Sequence, residues 1–218
     1  MPAPILRIST TSQFSTLSTF RAKQGGTVTV YRPTPQNSFF SIGDATFRSG
    51  ISPVVTLAAA NDDPASPLLK NPIGYSYIGG VLDLFPIILT YFFQPIAPDG
   101  YVPLGQVASI LELQDNAAPA WLAALADTLS DEEALTIPAD VSADPPLPSL
   151  DAVVCLRFDY ATTGTISPLL WTSKSTPYVD GYLTDKTNVV YVQANEDPPT
   201  GPVHIPDQLK AEIVESEP

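Results

Sequence analysis

Residues Arg32–Asp44 read RPTPQNSFFSIGD, and residues Gln94–Gln106 read QPIAPDGYVPLGQ. Laid over one another at an offset of 62 residues, they match without a gap: Pro33 with Pro95, Phe39 with Tyr101, Ile42 with Leu104, Gly43 with Gly105. Each copy follows an apolar, β-prone run, TVTVY before Arg32 and LTYFF before Gln94. The repeated unit is thus a strand, a turn gated by proline, and a second strand that starts at an aromatic. Such repetition predicts a pseudo-symmetric all-β fold, a β-prism or β-sandwich of short antiparallel strands. Pro33, Gly43, Pro95 and Gly105 read as structural turn residues. Each glycine is expected at a strand start where a side chain would collide or φ must be positive.

Working outward, the two copies extend over about 14–60 and 73–113. In the first, Thr27, Thr29 and Tyr31 alternate with Val28 and Val30, the period of a sheet with one wet face. Gly25-Gly26 reads as its hairpin turn, and Gly79-Gly80 as the counterpart in the second copy, with an insertion between that pair and Gln94. A diverged third copy is expected over 152–195, with Trp171 in the place of Phe93 and Tyr178 and Tyr182 flanking the next aromatic. Residues 116–135 break the pattern: Asn116 can cap a helix, and Trp121, Leu122, Leu125 and Leu129 follow at helical spacing. They read as one short helical insertion. The domain is thus expected over 1–195, and 196–218, acidic and proline-rich, as an extended or mobile tail.

Composition agrees with this architecture. The 24 prolines in 218 residues are about twice the usual share and argue against long helices. The single cysteine, Cys155, excludes an internal disulfide and a cysteine-based zinc site; within AVVCL it reads as an inert core thiol. The most apolar window, Val81–Phe93, carries Asp83 and Pro86 and is too short to span a bilayer as a helix. The start MPAPILRISTTSQF lacks the basic head and apolar run of a signal peptide, so the cytoplasm is the expected location.

Charge is divided along the chain. The net charge is −13; residues 1–70 hold six basic side chains against three acidic ones, whereas residues 71–156 hold eleven acidic and none basic. A basic face for phosphates is missing from this pattern, which speaks against nucleic acid. The division would allow a weak head-to-tail homo-oligomer, basic first copy against acidic second copy.

The catalytic inventory is thin. The only histidine, His204, lies in PVHIPD with no nucleophile elbow. Asp62-Asp63 and Asp131–Glu133 lack the spacing of a calcium loop. No catalytic residue, metal site or cofactor is assigned, and carboxylate-based hydrolysis is the enzymatic alternative that the residues best allow. Phe39, Phe40, Tyr101, Tyr178 and Tyr182 are the candidate binding residues, because aromatic rings near the repeated turns offer stacking area and, for tyrosine, a hydroxyl.

The strand, the Arg-Pro or Gln-Pro turn, the aromatic pair and the Leu-Gly-Asp-like ending together resemble the vacuolar protein sorting-associated protein 62 family of fungi and plants. Repeats of that family look like W-R-P-x-x-P-x-G-Y-x-x-L-G-D-V. Here YRPTPQNSFFSIGDAT and FQPIAPDGYVPLGQVA are the copies, with Gln106 standing where the pattern and Asp44 have an acid. The resemblance implies an all-β, prism-like domain and a role as an adaptor in lipid transfer or sorting. The expected function is a non-catalytic module that binds a protein, glycan or membrane-associated partner. The alternative is a lectin-like or toxin-like effector that recognises carbohydrate on a target surface.

Overall fold

The structure, a computed structural model, describes residues 4–35, 38–48, 55–61, 65–84, 87–112, 145–175, 177–194 and 202–215. The helix expected over 116–135 lies outside them. Eighteen short strands make up the fold, and one 3₁₀ turn, Phe158–Tyr160, is the only helical element among the described residues. The chain is all-β. The first copy supplies β1 (Ile5–Thr11), β2 (Phe14–Arg21), β3 (Thr27–Pro33), β4 (Phe40–Ser41), β5 (Ala45–Arg48) and β6 (Val55–Asn61). The second supplies β7 (Leu69–Lys70), β8 (Gly74–Leu84), β9 (Ile87–Ile96), β10 (Tyr101–Pro103), β11 (Val107–Glu112) and β12 (Cys155–Arg157). The third supplies β13 (Ala161–Gly164), β14 (Trp171–Thr172), β15 (Val179–Leu183), β16 (Val190–Ala194) and β17 (Val203–Pro206), and β18 (Ala211–Ile213) ends the series.

Three meander sheets repeat one wiring: β2-β3-β5, β8-β9-β11 and β14-β15-β16. Their registers correspond residue by residue. Tyr31 opposes Ala45, Phe93 opposes Val107 and Tyr182 opposes Tyr191. Leu17 and Ile78 are the extra residues of matching β-bulges on the first strands, and Leu170, whose N–H reaches the Gly181 carbonyl at 2.9 Å, stands in the same place in the third sheet. All three pack half-buried against one core, to which the sheets contribute Phe20, Val28 and Val30, then Val81, Phe92 and Ala108, then Trp171, Val179, Val190 and Val192. Burial of these alternate positions is what the period-two pattern requires.

These registers revise two alignments. Tyr182, not Trp171, takes the place of Phe93; Trp171 corresponds to Ser18 and Gly79 on the first strands. Gly79-Gly80 is not a turn but lies inside β8 at the bulge, whereas Gly25 and Gly26 turn the first hairpin with φ of +80° and +85°. Gly79 is kept free of a side chain by Val179, whose Cγ2 would lie 2.8 Å from a Cβ there.

Each copy also closes an outer ribbon from its first and last strands: β1 with β6, β7 with β12, β13 with β17. In the first two copies a short strand from the repeated turn joins as a third, β4 on β6 and β10 on β12. A second core lies here, built from Leu6, Ile8, Ile42, Leu104, Val154 and Leu156 among others. The stretch expected as a tail belongs to the fold over its described part. β17 pairs with β13, and β18 runs parallel to β1, with Leu6 opposite Ala211 and Ile8 opposite Ile213. Polar and proline-rich composition hid these strands; Ile205 is nonetheless 2% exposed.

Gly43 and Gly105 pack against one another. A Cβ on Gly43 would stand 2.9 Å from the Gly105 Cα, and one on Gly105 would stand 2.7 Å from the Ile42 carbonyl oxygen. Neither has positive φ, so collision is the reason for glycine. Gly43→Val is expected to cost at least ~3 kcal/mol, read as a lower urea midpoint at unchanged slope. A midpoint within experimental error of the parent would show that the two turns can separate freely.

Candidate functional site

The repeated turns converge on one another, and their ends differ in an ordered way. Register places Arg32, Gln94 and Leu183 at the end of the second strand, and Asp44, Gln106 and Val190 opposite or next to them at the start of the third. The first pair is an ion pair: Arg32 Nε and Nη2 donate to Asp44 Oδ1 and Oδ2 at 3.0 and 2.8 Å. The second is an amide pair, with Gln106 Nε2 donating to Gln94 Oε1 at 3.2 Å. The third is apolar.

Each polar pair then grips the next copy by both backbone groups of one residue. Ala108 N–H donates to Asp44 Oδ2 at 2.7 Å, and Arg32 Nη2 donates to the Ala108 carbonyl at 2.6 Å. Likewise Val192 N–H donates to Gln106 Oε1, and Gln106 Nε2 donates to the Val192 carbonyl at 3.1 Å. Leu183 and Val190 cannot do this, and the third copy holds the first by Trp171 Nε1–H donating to Thr46 Oγ1 at 3.0 Å. Asp44 is fully buried; burial pushes its carboxyl above the ordinary value, while Arg32 and the Ala108 N–H pull it back. With three donors converging on it, the carboxylate remains the acceptor of an ion pair.

Three seams therefore join the copies, and a second set of bonds zips two of them. Val154 N–H donates to the Ser41 carbonyl at 3.0 Å between copies one and two, and Thr56 N–H donates to the Thr187 carbonyl at 3.1 Å between copies three and one. Ser41 and Thr187 each stand three residues ahead of Asp44 and Val190; the matching residue ahead of Gln106 is Pro103. Pro202 follows Val190 by the interval at which Thr56 follows Asp44. Proline has no N–H, so the equivalent bond to Pro103 cannot form. Between Pro103 and Pro202 the seam between copies two and three opens into a cleft of about 300 Å³.

The cleft is lined by Gln94, Leu104, Thr184, Tyr191 and His204, together with the two prolines and their neighbours. Gln94 spends its oxygen on Gln106, which leaves its amide hydrogens as donors toward a ligand. Tyr191 meets Tyr182 edge-to-face at 6.4 Å, and His204 meets the ring of Phe158 edge-to-face at 6.0 Å. This arrangement can stack on and hydrogen-bond a polar ligand. None of the described lining residues is a carboxylate, and among the described residues no group of three or more His, Cys, Asp or Glu could hold a metal ion. Cys155 is fully buried, and burial pushes its thiol up to about 12.

The five candidate aromatics are spread over the molecule rather than gathered in one groove. Phe40 starts β4 on the first outer sheet and is 47% exposed, and Phe39 stands just before it with Arg7 over its ring at 5.7 Å. Tyr101 starts β10, donates its hydroxyl to the Pro67 carbonyl and is covered by Lys70 at 4.6 Å. Tyr178 lies under Lys23 at 5.2 Å, beside the turn of the first hairpin. Tyr182 is buried and touches the cleft through Tyr191. A cation over each of three rings leaves those faces unavailable for stacking. Gln94, Thr184 and Tyr191 were not singled out as site residues by sequence, and His204 was weighed only as a catalytic base; the interval from Val190 to Pro202 was the available signal.

Fold and cleft together define an all-β protein of three like-wired meander sheets with a ligand-sized opening at one seam. No family model matches the chain, and no curated protein matches it by sequence. Its fold is similar to the crystal structure of GNIP1Aa from Chromobacterium piscinae, with a TM-score of 0.64 and 14% identity, over 97% of this chain and 38% of that one. The chain thus spans little more than a third of that protein, and the likeness is one of fold. No helix among the described residues is long and apolar enough to cross a membrane.

Proposed function

We propose that the chain is a non-catalytic binding module that takes its ligand in the cleft at the open seam. The observation that carries this reading is the proline substitution pattern: two seams are zipped by backbone bonds, and the third is held open where Gln94, Tyr191 and His204 meet. We read the three sheets as the faces of a β-prism around a pseudo-threefold axis. Kinship with the vacuolar protein sorting-associated protein 62 family belongs to the same proposal, supported by the two turn copies. A fold that covers one part of a longer protein such as GNIP1Aa suits a module.

A lectin-like or toxin-like effector that binds carbohydrate is the second reading. It is favoured by the aromatic ring of Tyr191 beside the Gln94 amide, the pairing of stacking face and hydrogen-bond donor that sugars use. A glycan array decides between them, followed by NMR titration of any hit. Selective binding that shifts the Gln94 and Tyr191 signals and is lost in Tyr191→Ala supports carbohydrate. Silence across the array removes the lectin reading, and hits that ignore Tyr191→Ala remove the cleft.

A further inference from the structure

The third turn runs from Leu183 to Val190, five residues shorter than Arg32–Asp44 or Gln94–Gln106. Lys186 and Thr187, which stand where Phe40-Ser41 and Val102-Pro103 belong to β4 and β10, lie instead in a turn, with φ of +61° at Lys186. Among the described residues, β1-β6 carries β4 and β7-β12 carries β10, whereas β13-β17 has two strands. Among those residues β17 therefore has an edge where the other two outer sheets place a strand.

Hydrogen-bond phase shows which groups this edge presents. In an antiparallel pair, directly opposed residues alternate between bonded and non-bonded. Asp207 N–H donates to the opposed Tyr160 carbonyl at 2.8 Å, so Ile205 and Val203 turn their backbone groups to β13 and His204 turns its own away. The second copy has the same phase: Phe158 N–H donates to the Gly100 carbonyl at 2.9 Å, and Leu156, opposite Val102, faces β10. His204 thus corresponds to Leu156, and its N–H and C=O have no partner among the described residues. The prolines at 202 and 206 offer only carbonyls to the same side, which confines pairing to a short segment, as short as the two residues of β4 or the three of β10.

We infer that the β17 edge is a docking site for a short extended segment of a partner protein, which adds as the missing third strand and presents an aromatic and an apolar residue in the places of Tyr101 and Val102. This is strand addition, and the places of β4 and β10 define the occupant. The inference rests on the binding-module reading, and it gives that module a peptide ligand next to the cleft.

The probe is an acetylated peptide of residues 98–104, PDGYVPL, which copies β10. Added to ¹⁵N-labelled full chain, it is expected to shift the His204 amide and slow its hydrogen exchange. The same peptide with an N-methyl group on its valine, the residue that would bond to His204, is expected to bind at least tenfold more weakly, and the protein is untouched in that comparison. His204→Pro, tolerated where the N–H faces away from the sheet, is expected to keep the Tm within a few degrees and to abolish the shifts that the peptide causes at the neighbouring Val203 and Ile205 amides. Equal binding of the N-methyl peptide, no shift at millimolar peptide, or a His204 amide already protected in the free chain would each overturn the inference. Tyr191→Ala separates the two sites: it abolishes cleft binding and leaves the His204 response in place.

Discussion

Gly181→Ala is expected to be the most damaging single methyl in the molecule. A Cβ there would lie 1.9 Å from Trp171 Cε2 and 2.3 Å from Cζ2, so the ring must leave its site. It cannot leave cheaply. Trp171 is fully buried, meets Phe20 edge-to-face at 5.0 Å, lies 6.0 Å from Phe92, and ties the third copy to the first through Thr46. The expected loss is at least about 4 kcal/mol, a fall in Tm of roughly 8–16 °C for a chain of this size. Trp171→Leu alone should cost about 3–5 kcal/mol through the cavity it leaves. In the double variant the alanine methyl occupies part of that cavity, so the double should be no less stable than Trp171→Leu. Additive losses would show that the two groups do not share the space.

The second large effect lies at the ion pair. Arg32→Met leaves Asp44 buried with the Ala108 N–H as its remaining donor, and is expected to cost about 3–5 kcal/mol at neutral pH. The pH dependence has a definite sign. Without Arg32, burial is opposed only by the Ala108 N–H and raises the folded pKa of the carboxyl further above the unfolded value. The folded variant then binds the extra proton, so its deficit shrinks as pH falls from neutral toward the ordinary carboxylate range. Arg32→Gln with Asp44→Gln rebuilds the pair that Gln94 and Gln106 already make in the second copy. More than half of the stability lost in Arg32→Met should return. Denaturant titrations at two pH values check both statements; a deficit that does not change with pH, or a double variant no better than Arg32→Met, contradicts them.

The two matching turns were legible because the glycines there are fixed by local geometry. Gly43 and Gly105 have no room for a Cβ, and Val28 and Val30 alternate because one face of β3 is buried. The third sheet was harder to read because its turn is five residues shorter and lacks the glycine, which set Trp171 rather than Tyr182 in the place of Phe93. Gly79-Gly80 misled because a bulge against Val179 and a hairpin turn both call for glycine. The cleft could not be read at all from local pattern: it joins the turn after Gln94, the turn after Leu183, and Pro202–His204, three segments brought together by tertiary packing alone. The five aromatics were chosen for chemistry, and the structure places a cation over one face of Phe39, Tyr101 and Tyr178.

The parallel pairing of β18 with β1 bears on how the molecule comes into being. Ser9 Oγ donates to the Val214 carbonyl at 2.8 Å across 205 residues of sequence, and Val214 N–H donates to the Ile8 carbonyl at 2.8 Å. A chain emerging from the ribosome can assemble its first two meanders early, since their strands are neighbours in sequence. Its first outer sheet must wait for residues 211–213, so β1 keeps one edge uncovered until they have been made. Completion is set by the slowest kind of contact, one that closes a very long loop. Arg7, on the strand that waits, lends that edge a charge during the interval, the feature by which exposed strands resist pairing with the wrong neighbour.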